Sequence, residues 1–321
     1  MASSTSPWED GGGPPVVAFG GNALLPDARD PDAATARAAE FARAVLALMP
    51  EDTGMILVHG NGPQVGASLL RVEAARHEVP ISPLDVLVAE TQGSIGYLLS
   101  RALHNALSAS GMQVEVATVV TQVVVDPNDP AMQNPTKPVG PFYDPSEADA
   151  LQTERGWRLV EVPGKGVRRL VASPPSIDVV EIDTILQAAG KGRLVISGGG
   201  GGIPVERLGD GTLRGVEAVI DKDRTAALIA RSVDARGFVI LTEVAHASVA
   251  FGTPNERPLH EMTSAQALGL LASGEFPPGS MGPKIESCIA YSLATRRPAL
   301  ITSVDGLPGA LAHEDGTWIM P

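Results

Sequence analysis

Short apolar runs rich in β-branched residues alternate along this chain with stretches of helical periodicity, and no other feature limits its fold so tightly. The runs fall at 16–19, 55–58, 114–120, 193–196, 238–241 and 299–302. Helical spacing covers 33–49, about 62–76, about 83–110, 177–189, about 223–232, 264–272 and 281–296. Strands that are apolar throughout belong in a sheet covered on both faces. Strand–helix alternation predicts a mainly parallel α/β sheet with right-handed crossovers. The composition agrees: 44% of residues are apolar but only 4% are aromatic, so Val, Leu, Ile and Ala must build the core.

The alternation breaks at Asp126. From there to about Ser176 the chain is dense in Pro, Gly and charge, with short β runs at 158–162 and 168–171. A structureless loop of about 50 residues inside a compact domain is improbable, so this stretch reads as a small protruding β-rich subdomain. Residues 1–15, rich in Ser, Gly and Pro, read as a disordered leader. The expected organisation is the leader, then one domain over 16–321 with the subdomain at about 126–176 inserted in it. A length of 321 residues fits one large α/β domain or two smaller ones.

The formal net charge is −13. Nucleic-acid and anionic-membrane surfaces need basic patches, so neither is an expected partner. Bound phosphates remain possible where a few cations converge. The lone cysteine, Cys288, excludes an intrachain disulfide and fits a reducing compartment. It lies near Ile285, Ile289 and Leu293 in a stretch of helical periodicity, which suits packing. No apolar stretch nears the roughly 18 residues of a membrane span, and the first residues lack a signal peptide's basic start and apolar run. The expected location is the cytoplasm.

Ligands of open α/β sheets bind beyond the carboxyl ends of strands. Three strands here run into glycine turns: Gly20-Gly21-Asn22, Gly60-Asn61-Gly62 and Gly198 to Gly202. Such turns bring backbone N–H groups to an anion, with a helix dipole behind them. One alone is ordinary turn chemistry, but three at matching positions point to phosphate. No P-loop, dinucleotide fingerprint, nucleophile elbow or zinc spacing occurs. Of the six histidines, His59 alone borders a glycine loop, where packing explains it as well as substrate contact does. Three lysines stand in distinctive settings: Lys137 in Asn-Pro-Thr-Lys-Pro, Lys222 in Ile-Asp-Lys-Asp, and Lys284 behind Gly-Ser-Met-Gly-Pro. Phosphoryl transfer needs positioned cations above all. Asp221 and Asp223 flank Lys222 at a helix start. Either is suited to holding Mg²⁺, directly or through water, to orienting the lysine, or to capping the helix.

These segments resemble the carbamate kinases of the amino-acid-kinase superfamily, over nearly the whole length from Val16 to Ile319. The resemblance is carried by Val-Val-Ala-Phe-Gly-Gly-Asn-Ala-Leu-Leu (16–25), His-Gly-Asn-Gly-Pro-Gln-Val-Gly (59–66), Thr-Gln-Gly-Ser-Ile-Gly-Tyr (91–97) and Thr-Gln-Val-Val-Val-Asp-Pro (121–127). It continues in Asn-Pro-Thr-Lys-Pro-Val-Gly-Pro-Phe (134–142), Gly-Gly-Gly-Gly-Ile-Pro-Val (199–205), Gly-Val-Glu-Ala-Val-Ile-Asp-Lys-Asp (215–223) and Pro-Gly-Ser-Met-Gly-Pro-Lys-Ile-Glu (278–286).

The resemblance implies an open αβα sandwich around a mainly parallel sheet, a protruding subdomain, and a homodimer. It implies reversible phosphoryl transfer between ATP and carbamate with Mg²⁺, giving ADP and carbamoyl phosphate. By motif match, Lys137 closes over the carbamoyl group. Gly20, Gly21, Asn22, Gly60, Asn61 and Gly62 bind carbamate and the transferred phosphate. Lys222 and Lys284 neutralise phosphate oxygens, and Asp223 organises them with Asp221 beside it. Gly199, Gly200, Gly201 and the loop from Thr242 face the nucleotide. The chain departs from the family pattern at Glu243-Val244-Ala245, where Asp-Val-Asp is usual, and within 164–176, at Val167 and Pro175. Two other functions stay open: a kinase of another small acid or phosphonate, and a nucleotide-binding regulator without turnover. Retention of all three lysines and both aspartates speaks against the regulator.

Overall fold

A computed structural model of the chain describes residues 11–20, 31–277 and 279–321. Its strands are, in chain order, β1 (Val16–Phe19), β2 (Met55–His59), β3 (Val116–Thr118), β4 (Gln122–Val125), β5 (Lys137–Tyr143) and β6 (Arg158–Val162). There follow β7 (Gly166–Val171), β8 (Ser176–Val179), β9 (Leu194–Ser197), β10 (Ile203–Arg207), β11 (Leu213–Gly215) and β12 (Phe238–Thr242). The last are β13 (Ala247–Val249), β14 (Arg257–Leu259), β15 (Glu261–Thr263), β16 (Ala299–Ser303) and β17 (Thr317–Met320). The helices are α1 (Pro31–Leu46), α2 (Gly62–Ala75), α3 (Leu84–Ala109), α4 (Pro130–Gln133) and α5 (Ala148–Arg155). After them come α6 (Ile182–Gly190), α7 (Lys222–Ser232), α8 (Ser264–Ala272), α9 (Met281–Thr295) and α10 (Leu307–Leu311).

Among the described residues the main sheet has eight strands in the order β15-β17-β16-β12-β1-β2-β9-β3. From β16 to β3 all neighbours are parallel. β17 runs against β16 and alongside β15, so the last strand of the chain lies between two earlier ones. Successive side chains on a strand point to opposite faces. Val16, Ala18, Ile56, Val58, Phe238 and Ile240 pack under α6, α7, α8 and α9. Val17, Phe19, Met55, Leu57, Val239 and Leu241 pack under α1, α3 and α10. The expected αβα sandwich follows from these two apolar layers. Each fully buried aliphatic side chain contributes roughly 1.5–3 kcal/mol, offset by the entropy of ordering it.

A second sheet, β11-β10-β4-β8, flanks the first. It corrects two sequence expectations. The run at 114–120 is a strand only at 116–118; the buried Thr121 then turns the chain, its N–H held by the Gln92 side chain at 2.8 Å, and 122–125 joins the second sheet. The stretch at 177–189 is helical only from Ile182. Before that, Val179 pairs with Val123, and the Glu181 carboxylate accepts from the Gln122 N–H. The leader also ends earlier than expected. Gly13 bridges Ala235, and the Pro15 carbonyl accepts from the Ile56 N–H, so these residues are part of the folded body. Residues 1–10 lie outside the described residues.

The subdomain leaves after β4 and returns at β8, and these two strands are antiparallel neighbours. Its own sheet is β5-β7-β6, with α4 and α5 at its margins. No helix among the described residues is long and apolar enough to cross a membrane.

Candidate active site

β1, β2 and β9 are adjacent in the main sheet, so the glycine turns at their carboxyl ends come together. There a cavity of about 430 Å³ opens, lined by Gly20, Gly60, Asn61, Gly62, Gly200, Thr242 and the four residues Lys137, Asp221, Lys222 and Lys284, with Asp223 at its floor. Gly199 and Gly201 stand just behind Gly200 and outside the lining. Gly21 and Asn22 lie outside the described residues.

Three helices start at this cavity. α2 begins at Gly62, α7 at Lys222 and α9 at Met281. The positive dipole ends of all three favour anions. α7 is capped by Asp221, whose Oδ1 accepts from the N–H of Asp223 at 2.9 Å and of Arg224 at 3.4 Å. Capping and a place at the site are therefore both true of Asp221, because its other oxygen, Oδ2, lies 3.4 Å from Lys137 Nζ.

Asp223 is the hub. Its side chain is 4% exposed, with Oδ1 bonded to Lys222 Nζ and Oδ2 to Lys284 Nζ at 2.8 Å. Burial pushes its pKa up, but the two ammonium groups outweigh that and hold it at about 2. Burial likewise pulls Lys222 below its ordinary value, against the attraction of Asp223. Asp223 gives each oxygen to a close lysine, whereas among the described residues Asp221 Oδ2 meets only Lys137, at a long 3.4 Å, so Asp221 is the freer of the two carboxylates. Arg224 and Glu286, 2.7 Å apart, join α7 to α9 beside the two lysines.

The glycine run of 198–202 needs its glycines. Gly200 has φ +68°, and a Cβ there would lie 2.2 Å from Asn61 Nδ2. Gly201 has φ +92° and would meet the Ile220 carbonyl. His59 is buried behind the loop with its Nδ1 against the Gly60 carbonyl at 3.0 Å, and Gly199 packs on its other nitrogen. Burial lowers its pKa to about 4, so it is neutral, and its place is in packing.

A scan against protein-family models matches residues 14–303 to the amino acid kinase family. The chain belongs to the amino acid kinase family. Curated relatives include the carbamate kinase of Pyrococcus furiosus, 41% identical over 95% of this chain and 98% of that protein. Carbamate kinase 1 of Enterococcus faecium is 44% identical over 94% and 96%. Among solved structures, carbamate kinase from Giardia lamblia bound to AMP-PNP superposes with a TM-score of 0.89 at 38% identity, over 96% of this chain and 98% of that one.

This amino acid kinase also uses residues to which the sequence reading gave no role. Gln92 Nε2 donates to the carbonyls of Gly199 at 2.9 Å and Thr121 at 3.1 Å. Thr121 Oγ1 accepts from the Gly198 N–H, Thr225 Oγ1 donates to the Gly201 carbonyl, and Thr91 Oγ1 accepts from Asn61 Nδ2. These buried side chains fix the glycine loop and the Asn61 amide. Their signal was visible: Thr91 and Gln92 are polar residues on an otherwise apolar face of α3.

Proposed function

We propose that this chain is a carbamate kinase, transferring phosphate reversibly between ATP and carbamate. The observation that carries the reading is the convergence of Lys137, Lys222 and Lys284 on one glycine-lined cavity at the strand ends. The high identity to carbamate kinases over almost the full chain supports the choice of acceptor.

In the forward direction the anionic carbamate oxygen attacks the γ-phosphorus. The new O–P bond forms as the bond to the β–γ bridging oxygen breaks, and ADP leaves with that electron pair. Carbamate is already ionised, so no general base is needed. The obstacle is repulsion between two anions, which positioned cations and N–H groups offset. Lys222 and Lys284, held by Asp223, neutralise phosphate oxygens. The turns at Gly20, Gly60 and Gly62, with Asn61, cradle the transferred group; Gly21 and Asn22 extend that role by motif. Lys137 reaches in from the subdomain to the carbamoyl group. Gly199, Gly200, Gly201 and Thr242 border the nucleotide.

A Mg²⁺ ion fits this donor set. Such an ion asks for one or two carboxylates plus phosphate oxygens. Asp221 would hold it, directly or through water, with the nucleotide phosphates, and the ion supplies charge neutralisation between them. A homodimer in the cytoplasm completes the proposal. β3 is the last strand of the main sheet, and Tyr97 beside it is 61% exposed, a face that a second copy is suited to cover.

The test is a coupled assay supplying ADP, carbamoyl phosphate and Mg²⁺, scored for ATP. Steady ATP formation is expected. No ATP above background from well-folded protein would remove carbamate as the acceptor.

A further inference from the structure

The subdomain rests on the body along α2, where Arg155 meets Glu73 at 2.9 Å, and on a second, patterned patch. In its sheet Lys137 of β5 pairs with Val171 of β7, and Val139 of β5 pairs with Arg169 of β7. Directly paired residues share a face of a sheet, so these four form one block, with cations on one diagonal and valines on the other. Val139 and Val171 pack in one apolar cluster with Val219 of the body. The body meets this block with every second residue of one segment. Glu217 takes Arg169 at 3.3 Å, Val219 takes the valines, and Asp221 faces Lys137 at 3.4 Å. The backbone joins in: the Val219 N–H donates to the Ala172 carbonyl at 3.0 Å. The same segment runs straight into α7, with Lys222 and Asp223.

We infer that the Arg169–Glu217 pair is a positioning device that sets how far Lys137 reaches into the cavity. Arg169 is suited to it. Its guanidinium lies 4.7 Å from the Trp157 ring centroid, so the ring and Glu217 fix the side chain from different directions. A half-exposed ion pair contributes little to folding. Its value here is geometric. The pair anchors one corner of the block, the valines fill the middle, and Lys137 stands at the opposite corner. Losing the anchor lets the sheet tilt about the valines, which moves Lys137 off Asp221. Arg169 and Glu217 line a different cavity from the one that holds Lys137 and touch none of the reacting groups.

The inference rests on the kinase reading for its consequence in turnover but not for its geometry. Two measurements separate the two. In the free enzyme, acylation of individual lysines is followed by mass spectrometry in wild type, Glu217→Gln and Arg169→Met. Lys137 is expected to label several-fold faster in both variants, with Lys222 and Lys284 unchanged. In the ATP-forming assay both variants are expected to lose about 5- to 20-fold in kcat, with KM for ADP within twofold. Arg169→Lys, which keeps the charge, is expected to recover most of it. Unchanged Lys137 labelling, or a loss spread equally over kcat and ADP affinity, would overturn the inference. A wild-type enzyme that forms no ATP counts against the kinase reading alone, since the labelling result stands without turnover.

Discussion

Lys222 and Lys284 sit in the interior on two helices that pack together, whereas Lys137 stands on a separate three-stranded sheet with 31% of its side chain exposed. The buried pair shares one carboxylate through short contacts. Among the described residues Lys137 has only Asp221 and the Ile220 carbonyl, both at 3.4 Å. The first arrangement is fixed before substrate arrives. The second is loose and is ready to exchange its protein partners for a ligand. Electrostatic stabilisation is strongest where charges need no reorganisation at the moment of reaction. In the proposed reaction the phosphate, common to both directions, would meet the fixed cations. The small acceptor, which must enter and leave, would meet Lys137.

The harshest way to break this contrast is to remove a fixed cation. Lys284→Ala leaves Asp223 buried with one partner, and breaking a buried ionic set costs about 3–5 kcal/mol. Urea unfolding should register that loss, and turnover should fall by about 10²–10³ or more, as when one transition-state donor is deleted. Lys137→Ala should cut kcat by about 10²-fold while leaving both stability and ADP binding nearly unchanged, read by calorimetric titration with ADP. Equal loss of turnover and ADP affinity would erase the proposed division of labour.

Acid titration sharpens the fixed half further. The folded pKa of His59, about 4, lies below its ordinary 6.5, so the unfolded chain binds the proton first. Stability is complete above pH 6.5 and falls as pH drops toward 4, by about 3 kcal/mol in all. His59→Gln should flatten that part of the pH–stability curve. Asp223 acts lower: its stabilisation is present above 3.8 and disappears as pH falls toward 2. At the alkaline end, Lys222 releases its proton below the ordinary 10.5, so kcat should decline before a free lysine would titrate. The mildest test is Gly200→Ala, which forces a Cβ onto Asn61 at positive φ and should cost about 1–3 kcal/mol. Gly209→Ala, with nothing within 4 Å, should change stability little.

Much of this was legible in the sequence. Runs such as those at 16–19 and 238–241 are apolar on both faces, so the doubly covered sheet follows from them directly. The three glycine turns and three lysines were readable because each has a local cost or charge that ordinary packing does not explain. What escaped was long-range. Val179 is apolar and near Ile182 and Ile185, so a helix and a short strand leading into one look alike until Val123 supplies the partner. Gln92 and Thr121 hold the loop from distant points of the chain, and no local pattern announces that. The Arg169–Glu217 contact joins residues 48 positions apart and depends on which face of β7 turns inward.

The placement of β17 between β16 and β15 has a consequence for the timing of assembly. Thr317 accepts from the Ala247 N–H at 2.9 Å and donates to the Leu259 carbonyl, and Ser264 Oγ donates to the Met320 carbonyl. Ala247 follows directly on the loop that starts at Thr242. In synthesis order this corner therefore waits for residues 317–320, which follow the lysines of α7 and α9. The rim beside Thr242 is therefore the part of the cavity whose supports are completed last in synthesis order.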